Sequence, residues 1–506
     1  MKNARLELAL IFAALAALSA SATAYVFRSG WTLYYGDAEA HLNIARRVVD
    51  SRDPGYEQIG TVWLPLPHVL MLPLVRDDGL WRSGLAGAIP ASVCFVCAGV
   101  FFFAAMRLAT GSTAAAVASL GLFACNPNLL YLQATPMSEP VFLAAFMALA
   151  YATVAFHETQ SWSAVAGAGF AALAASLSRY EGWFLIPFVA LYFLIAARRH
   201  RLLAALVFGA IAALGPLYWL AHNWWLYSNP LEFYNGPYSA LSIYQRALNQ
   251  NMSPYPGDHD WWKAWQYFST AAERCVGLGL AVVAALGLAG AVRKRLFWPL
   301  ALAALPPVFY VWSMHSGSTP IFVPGLWPNV HYNTRYALSV LPLLAIAGGS
   351  LVLLANQKFR PWLAVAALAT ATVPWLLRPE PRNWICWKES EANSVGRRAW
   401  TSEAAAVMAT AYRPGDGILT SFGDLTGILR SAGIPLREML FNDELQWAPA
   451  VARPDLFLHE EWAIAISADP VATALQRATL KNGPRYHLVQ TIIQKGAPVI
   501  EIYRRD

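Results

Sequence analysis

Tyr34-Tyr35-Gly36-Asp37-Ala38-Glu39-Ala40-His41 follows the first apolar segment of the chain and contains three ionisable side chains. Gly36 permits a turn, and residues 42–49 carry apolar side chains at helical spacing. We therefore predict a helix that lies along a membrane surface, with its apolar face in lipid and its arginines in water. An ionisable group beside hydrocarbon costs about 2.5–3.5 kcal/mol on insertion scales. Asp37 is therefore a candidate functional residue, although it could equally cap the helix.

The composition is typical of a membrane protein. Of the 506 residues, 57% are hydrophobic and 13% are charged, whereas charged residues make up about 25% of a soluble domain. The net charge of +7 comes largely from short basic clusters between apolar segments, which is the pattern of orientation signals. This pattern argues against nucleic-acid binding. The five cysteines form no recognisable disulfide or metal framework.

About eleven apolar segments approach the roughly 20 residues that a crossing requires. Basic clusters at residues 2–5, 198–201, 293–295 and 358–360 fall on one side if the segments alternate, which makes that side the cytoplasm. We predict a cytoplasmic N-terminus, an uncleaved first segment and an extracytoplasmic C-terminus. The segments lie at about 6–26, 85–107, 113–132, 140–156, 162–178, 183–197, 202–222, 274–292, 296–313, 335–355 and 361–377.

The predicted outer face receives the loops at 28–84, 223–272 and 314–334. Beyond residue 378 the charges become frequent, and predicted strands alternate with helices, including a helix that Asp469 caps and a terminal hairpin. We therefore predict a membrane domain at 1–378 and a small α/β domain at 379–506. Nearly every unusual polar residue beside an apolar segment falls on the outer face, which indicates a single active site there.

Three further motifs stand at outer ends of apolar segments. Glu139 could either favour the N-terminus of its helix or orient the acceptor and tune Asp37. Arg179 could either form a salt bridge with Glu181 or bind a lipid phosphate. Arg335 opens an apolar segment, where the helix dipole opposes a cation, so we predict that it contacts a phosphate. The motifs are Ser138-Glu139-Pro140, Ser178-Arg179-Tyr180-Glu181-Gly182 and His331-Tyr332-Asn333-Thr334-Arg335-Tyr336.

These motifs, in this order and on one face, resemble the GT-C superfamily of polyprenyl-phosphate-sugar-dependent glycosyltransferases. The similarity is to bacterial members related to protein O-mannosyltransferases and aminoarabinose transferases. It covers about 375 residues of membrane part and includes Gly36-Asp37-x-Glu39 and Arg335-Tyr336-x-Leu338. In the protein-mannosylating branch the first motif has adjacent acidic residues, whereas Ala38 separates Asp37 from Glu39 in this chain.

The resemblance implies a polytopic α-helical membrane protein, GT-C-like, with an extracytoplasmic α/β domain, in a bacterial inner membrane. It implies transfer of a sugar, mannosyl or similar, from a polyprenyl-phosphate donor to a hydroxyl of a glycan, lipid or protein, with inversion. Asp37 and Glu139 would be catalytic, and Arg335 and Arg179 would bind the donor phosphate. The residues expected to shape the substrate site are Glu39, His41, Tyr180, Glu181, His331 and Tyr332.

Two points stay open at the level of sequence. A divalent metal is not required by the chemistry but some GT-C enzymes use one, and His41 or His331 would be its candidate ligands. A transporter or flippase for a lipid-linked or anionic substrate is the alternative function. That class predicts internal repeats and ionisable residues near the middle of the bilayer, whereas the polar residues of this sequence collect at one face.

Overall fold

The structure is a computed structural model that describes residues 2–467 and 469–506, and it is mostly helical. Its contacts divide the chain into two units. The first unit consists of residues 2–30, 61–67 and 88–389, and the second of residues 31–60, 68–87 and 390–506. The predicted domains, 1–378 and 379–506, differ from these units chiefly because the second unit also contains the loops at 31–60 and 68–87.

Helices occupy most of the chain, and the strands of the sheet occur toward its C-terminus. The α-helices, in chain order, are α1 (Lys2–Arg28), α2 (Gly36–Arg47), α3 (Leu66–Met71), α4 (Asp78–Ser83), α5 (Leu85–Thr110), α6 (Thr113–Ala124), α7 (Pro127–Leu132), α8 (Glu139–Thr159), α9 (Trp162–Ser176), α10 (Glu181–Ala196), α11 (Arg201–Tyr227), α12 (Glu232–Asn235), α13 (Ala240–Asn249), α14 (Trp261–Val276), α15 (Leu278–Arg293), α16 (Phe297–His315), α17 (Leu341–Ser350), α18 (Arg360–Leu377), α19 (Ile385–Ala411), α20 (Thr426–Ala432), α21 (Trp447–Ala452), α22 (Pro454–Phe457) and α23 (Pro470–Leu480). The strands are β1 (Ile418–Thr420), β2 (Met439–Leu440), β3 (Trp462–Ile466), β4 (Tyr486–Ile492) and β5 (Ile500–Arg505). Short 3₁₀-helices occur at Tyr56–Ile59, Thr334–Val340, Leu351–Leu354, Gln357–Phe359, Pro381–Asn383 and Leu436–Glu438.

Seven helical spans in the described residues are long and apolar enough to cross a membrane, and the bent pair α14–α15 would make an eighth. The predicted count of eleven is therefore not confirmed. The predicted segment at 113–132 is interrupted where Asn126 caps α7 and Pro127 begins it. The segments at 162–178 and 183–197 form helices of only 15 and 16 residues. The spans are Arg5–Arg28, Leu85–Thr110, Glu139–Thr159, Arg201–Tyr227, Phe297–His315, Thr334–Leu354 and Gln357–Leu377.

Small residues allow helices of the first unit to pack closely. A side chain at Gly287 or Gly290 of α15 would collide with the backbone carbonyl groups of Ala347 and Ser350 in α17. Close backbone approach at small residues is a usual basis of helix association in membranes, where dispersion contacts replace the hydrophobic effect. The two glycines thus fix α15 against α17.

The second unit is built on a five-stranded sheet with the order β2-β1-β3-β5-β4. β1 pairs in parallel with β2 and β3, and β5 pairs antiparallel with β3 and β4. The predicted strand at 462–466 is confirmed, as is the helix in which the Asp469 side chain accepts a hydrogen bond from the Ala472 amide. β4 and β5 form the predicted terminal hairpin, so the α/β class is confirmed.

The prediction that α2 places its apolar face in lipid and its arginines in water was wrong. Leu42 and Ala45 lie in the hydrophobic core of the second unit, and Arg46 and Arg47 are 4% and 7% exposed. Arg46 binds Asp50 at 2.7 Å and donates to the Val75 carbonyl at 2.6 Å. An amphipathic helix buries its apolar face equally well in lipid or in protein, and the buried arginines are tolerated because they are paired.

Candidate active site

Glu139 stands at the centre of a charged network in the first unit. It is the first residue of α8, and its Oε1 lies 3.0 Å from Nη1 of Arg179 and 3.1 Å from Nε of Arg335. Arg179 precedes α10, and Arg335 belongs to the 3₁₀-helix Thr334–Val340. The structure therefore brings together three of the motifs that the sequence placed at ends of apolar segments.

A second set of partners fixes the Arg179 guanidinium. Its Nε lies 2.8 Å from Oε1 of Glu181, Nη1 donates to Ser138 Oγ at 2.8 Å, and Nη2 donates to the Tyr310 hydroxyl at 2.6 Å. The Tyr310 hydroxyl also bonds to Glu181 Oε1. All these groups are buried or nearly so, which makes the network rigid and its charges costly to leave unpaired.

Glu389 completes the network and was not predicted from the sequence. Its Oε1 lies 3.1 Å from Nη1 of Arg335, and its Oε2 accepts the backbone amide of Thr334 at 2.6 Å. The Thr334 hydroxyl donates to the same oxygen. Glu389 therefore holds the start of the Arg335 span, a role that capping carboxylates often take at helix N-termini.

The network borders a cavity that we call the Glu139 pocket. Tyr336 stacks on Tyr310 with ring centroids 4.9 Å apart, and both guanidiniums lie about 5 Å from the centre of the Tyr336 ring. Apart from Ser339 the remaining walls are apolar, so the pocket joins a charged surface to an apolar one. It is lined by Leu129, Leu132, Glu139, Phe142, Leu143, Phe146, Arg179, Glu181, Pro306, Tyr310, Arg335, Tyr336, Leu338, Ser339 and Pro342.

The charges of this network leave one carboxylate in excess. Glu139, Glu181 and Glu389 face the guanidiniums of Arg179 and Arg335. A donor phosphate at either arginine would therefore share the guanidinium with a carboxylate that is already bound. The predicted phosphate-binding role of Arg335 and Arg179 stays a prediction.

A different cluster surrounds the start of α2 in the second unit. Glu39 is 5% exposed, and its two oxygens lie 3.2 Å from Nη1 of Arg397 and 3.0 Å from Nη2 of Arg430. These two ion pairs indicate that Glu39 fixes the position of α2. Asp37, two residues earlier in the same first turn, is only half-buried. The structure thus distinguishes two acids that the sequence could not.

Asp424 belongs to the same cluster and was also missed. Burial raises the pKa of its carboxyl, Arg397 opposes that change, and the negative charges of Glu39 and Asp37 raise the pKa further. Asp424, Arg397 and Arg430 lie in ordinary polar sequence, and only their distance from α2 in space reveals them.

Comparison with known proteins identifies the fold. A family model described as dolichyl-phosphate-mannose-protein mannosyltransferase matches residues 81–225. ArnT from Cupriavidus metallidurans, solved with undecaprenyl phosphate, superposes with a TM-score of 0.52 and 13% identity over 95% of this chain and 97% of its own. The apo oligosaccharyltransferase of Archaeoglobus fulgidus superposes with a TM-score of 0.51 and 12% identity, over 91% of this chain and 69% of its own. The chain has the GT-C glycosyltransferase fold. No curated protein sequence matches it significantly.

Other residues predicted to shape a GT-C substrate site have structural partners. The Tyr180 hydroxyl donates to the Val62 carbonyl at 2.9 Å, and the Tyr180 ring stacks on Phe233. Tyr332 exchanges both backbone hydrogen bonds with Phe322. Tyr180, His331 and Tyr332 do not line the Glu139 pocket, so their contribution to the site stays a prediction.

The predicted metal ligands do not form a metal site. Nδ1 of His41 lies 2.8 Å from Nε2 of His68, and both rings are buried. Burial lowers the pKa of His68, and the charges of His41 and Arg47 lower it further. Within residues 2–467 and 469–506, no group of three or more His, Cys, Asp or Glu side chains is arranged to hold a metal ion.

Proposed function

We propose that this GT-C protein transfers a sugar from a polyprenyl-phosphate-linked donor to an acceptor hydroxyl. The observation that carries the proposal is the Glu139 pocket, which combines a buried charged network with apolar walls inside a GT-C fold. The description of the matching family and the undecaprenyl phosphate bound to ArnT support this donor class. A sugar phosphate on an isoprenoid chain likewise joins a charged group to an apolar body.

The proposed reaction is a single displacement. The acceptor oxygen forms a bond to the anomeric carbon while the bond from that carbon to the phosphate oxygen breaks. The electron pair leaves with polyprenyl phosphate, the acceptor proton passes to the Asp37 carboxylate, and the anomeric configuration inverts. Asp37 is the preferred base because Glu39 is bound by two arginines, whereas Asp37 is half-buried at the start of α2.

Glu139 has a positioning role in this proposal. It lies between the guanidiniums of Arg179 and Arg335 and holds them in one orientation. Each guanidinium carries five N–H donors, so it can bind a network carboxylate and a phosphate oxygen together. The negative charge on the leaving phosphate grows in the transition state, and fixed cations stabilise it there without reorganisation.

Nothing in the described residues favours the transporter alternative. Glu139 begins α8, Glu181 begins α10, and Arg335 is the second residue of the span Thr334–Leu354. These charges lie at helix ends, whereas a secondary transporter places its binding groups near the middle of the bilayer.

The finer assignment is a hexosyl- or pentosyltransferase similar to mannosyltransferases. We propose that it resides in a bacterial inner membrane with a cytoplasmic N-terminus and an extracytoplasmic C-terminus, because the basic clusters would then face the cytoplasm. The acceptor is a hydroxyl of a glycan, lipid or protein.

A donor panel tests the proposal. Purified protein is incubated in detergent or nanodiscs with several polyprenyl-phosphate sugars, and the release of polyprenyl phosphate is measured with and without a chelator. We expect release from at least one donor that depends on the protein and is lost in Asp37→Asn. Absence of release from every donor in the presence of mixed acceptors, together with transport of any of them across the membrane of sealed vesicles that contain the purified protein, would overturn it.

A further inference from the structure

A second concavity of the first unit carries a positive charge. This surface, which we call the Arg378 crevice, is formed by α14, α15, α18, the chain at 378–388 and the loop residues Pro324 and His331. Its cations are Arg274, Arg378, Arg382 and Lys388, and the carboxylate of Glu273 also lines it. It shares no lining residue with the Glu139 pocket.

The crevice exists because the chain bends sharply at Gly277. The axes of α14 and α15 differ by 101° across this residue, whose φ is +79°. A Cβ atom at position 277 would lie 3.0 Å from the Trp375 ring of α18. Both the left-handed backbone and this close approach favour glycine. The bend turns α14 away from α15 and opens the crevice at the end of α18.

Three of the cationic side chains that line the crevice do not take part in the ion pairs of the described residues. Within the described residues, the side chains of Arg274, Arg378 and Arg382 have no ion pair or hydrogen bond, and all three are exposed. In the predicted orientation they also lie at the outer ends of their spans, where the positive-inside rule does not place cations. An anionic ligand would explain why three cations lie at this position.

The walls of the crevice are apolar and face outward. Leu278 at the start of α15 is 67% exposed, and Leu377 at the end of α18 is 77% exposed. Val282 and Val373 continue these surfaces along the two helices. A cationic end joined to an outward apolar groove complements an amphiphile that has an anionic head and lies in the bilayer.

We propose that the Arg378 crevice binds an anionic glycerophospholipid of the surrounding bilayer. Its phosphate would contact Arg274, Arg378 and Arg382, and an acyl chain would lie against α15 and α18. Guanidiniums suit this ligand because they bind phosphate oxygens in a bidentate way. A bilayer phospholipid is favoured over the sugar donor because the apolar walls of the crevice are exposed and the crevice shares no lining residue with the Glu139 pocket.

Native mass spectrometry tests the site directly. The protein is reconstituted in nanodiscs of phosphatidylcholine with about 20 mole per cent phosphatidylglycerol, and the lipids that remain bound after release are counted. We expect the wild type to retain phosphatidylglycerol and the triple variant Arg274→Ala/Arg378→Ala/Arg382→Ala to lose it at least about tenfold, as loss of charge-assisted hydrogen bonds predicts. The matched control is Arg293→Ala/Lys358→Ala/Arg360→Ala, which removes equal charge from the opposite ends of α15 and α18.

The alternatives give distinct results. Equal retention of phosphatidylglycerol by both triple variants would overturn the proposal. Displacement of phosphatidylglycerol by polyprenyl phosphate at a tenfold lower mole fraction would also overturn it, because the crevice would then be a binding site for the sugar donor. If the triple variant does not fold, a phosphatidylglycerol with a photoreactive head group is crosslinked to the wild type. Crosslinks in peptides that contain Arg274 and Arg378 support the site, and crosslinks confined elsewhere refute it. Binding is measured without sugar transfer, so the result does not depend on the proposed activity.

Discussion

Glu139 and Arg335 are 196 residues apart in the chain, yet Nε of Arg335 donates to Oε1 of Glu139 at 3.1 Å. The same oxygen lies 3.0 Å from Nη1 of Arg179, so one carboxylate oxygen connects the starts of α8 and the Arg335 span with the turn before α10. The arrangement ties three helix ends together at the Glu139 pocket. The contribution of these contacts to stability depends on the negative charge of Glu139.

Glu139→Gln should impair both stability and transfer. Removing one partner of a buried ion pair costs about 3–5 kcal/mol, and the neutral amide leaves two guanidiniums facing each other with less negative charge between them. We expect polyprenyl phosphate release to fall at least tenfold at saturating donor, with a lower melting temperature in detergent. The control is Glu158→Gln, which changes an exposed carboxylate on the same helix. A variant with wild-type rate and melting temperature would contradict the central place of Glu139.

Glu39 should behave as a structural residue. Its oxygens bind Arg397 and Arg430, so a double-mutant cycle of Glu39→Gln and Arg430→Ala should show coupling of about 0.5–3 kcal/mol in the free energy of unfolding. The cycle is measured by urea titration of the full chain. Glu39→Gln protein that remains folded should keep most of its activity, because we assign proton transfer to Asp37. Strictly additive free energies would contradict the role of this pair.

The charged network was partly predictable because its members stand out in the sequence. Glu139, Arg179 and Arg335 are ionisable residues at the ends of apolar segments, where an unpaired charge is expensive. The sequence indicated that they lie on one face of the membrane. It offered Glu181 as a partner of Arg179, and the structure shows that pair. It named no protein partner for Arg335, which was expected to meet a phosphate, and the structure shows Arg335 between Glu139 and Glu389.

Other members of the two clusters were not predictable for a physical reason. Arg430 binds Glu39 across 391 residues of chain, and Asp424 is perturbed by Asp37 and Glu39. These residues occur in ordinary polar sequence, and only tertiary packing gives them a role. The same limit explains the error on α2, because the periodicity of an amphipathic helix does not reveal whether lipid or protein covers its apolar face.

Asp37→Asn should abolish transfer and leave the fold intact. An amide of the same shape cannot accept the acceptor proton, and loss of a general base typically lowers the rate about 10²–10⁴-fold. We expect the binding of a non-transferable donor analogue to change by less than about twofold, and the melting temperature to stay at the wild-type value. Glu57→Gln, an exposed carboxylate in the same loop, serves as the control. Retained turnover would remove Asp37 from the mechanism.

Glu444 should make the second unit less stable as the pH rises. Burial, helped by the charge of Asp53 and opposed by Arg52 and Arg47, raises the pKa of its carboxyl to about 7. The unfolded carboxyl titrates near its ordinary pKa of about 4.3, so between that pH and about 7 the folded state binds more protons than the unfolded state. The free energy of unfolding must therefore fall as the pH rises through this window and level off above it.

Glu444→Gln tests this expectation because the amide is neutral at every pH. Urea titrations of the full chain at pH 5, 6, 7 and 8 should show a decline in the wild type that is smaller in the variant. The control is Glu403→Gln, which alters an exposed carboxylate of the same unit and should reproduce the wild-type slope. If the wild type and Glu444→Gln lose stability in parallel between pH 5 and 7, then Glu444 does not titrate in the folded protein as proposed.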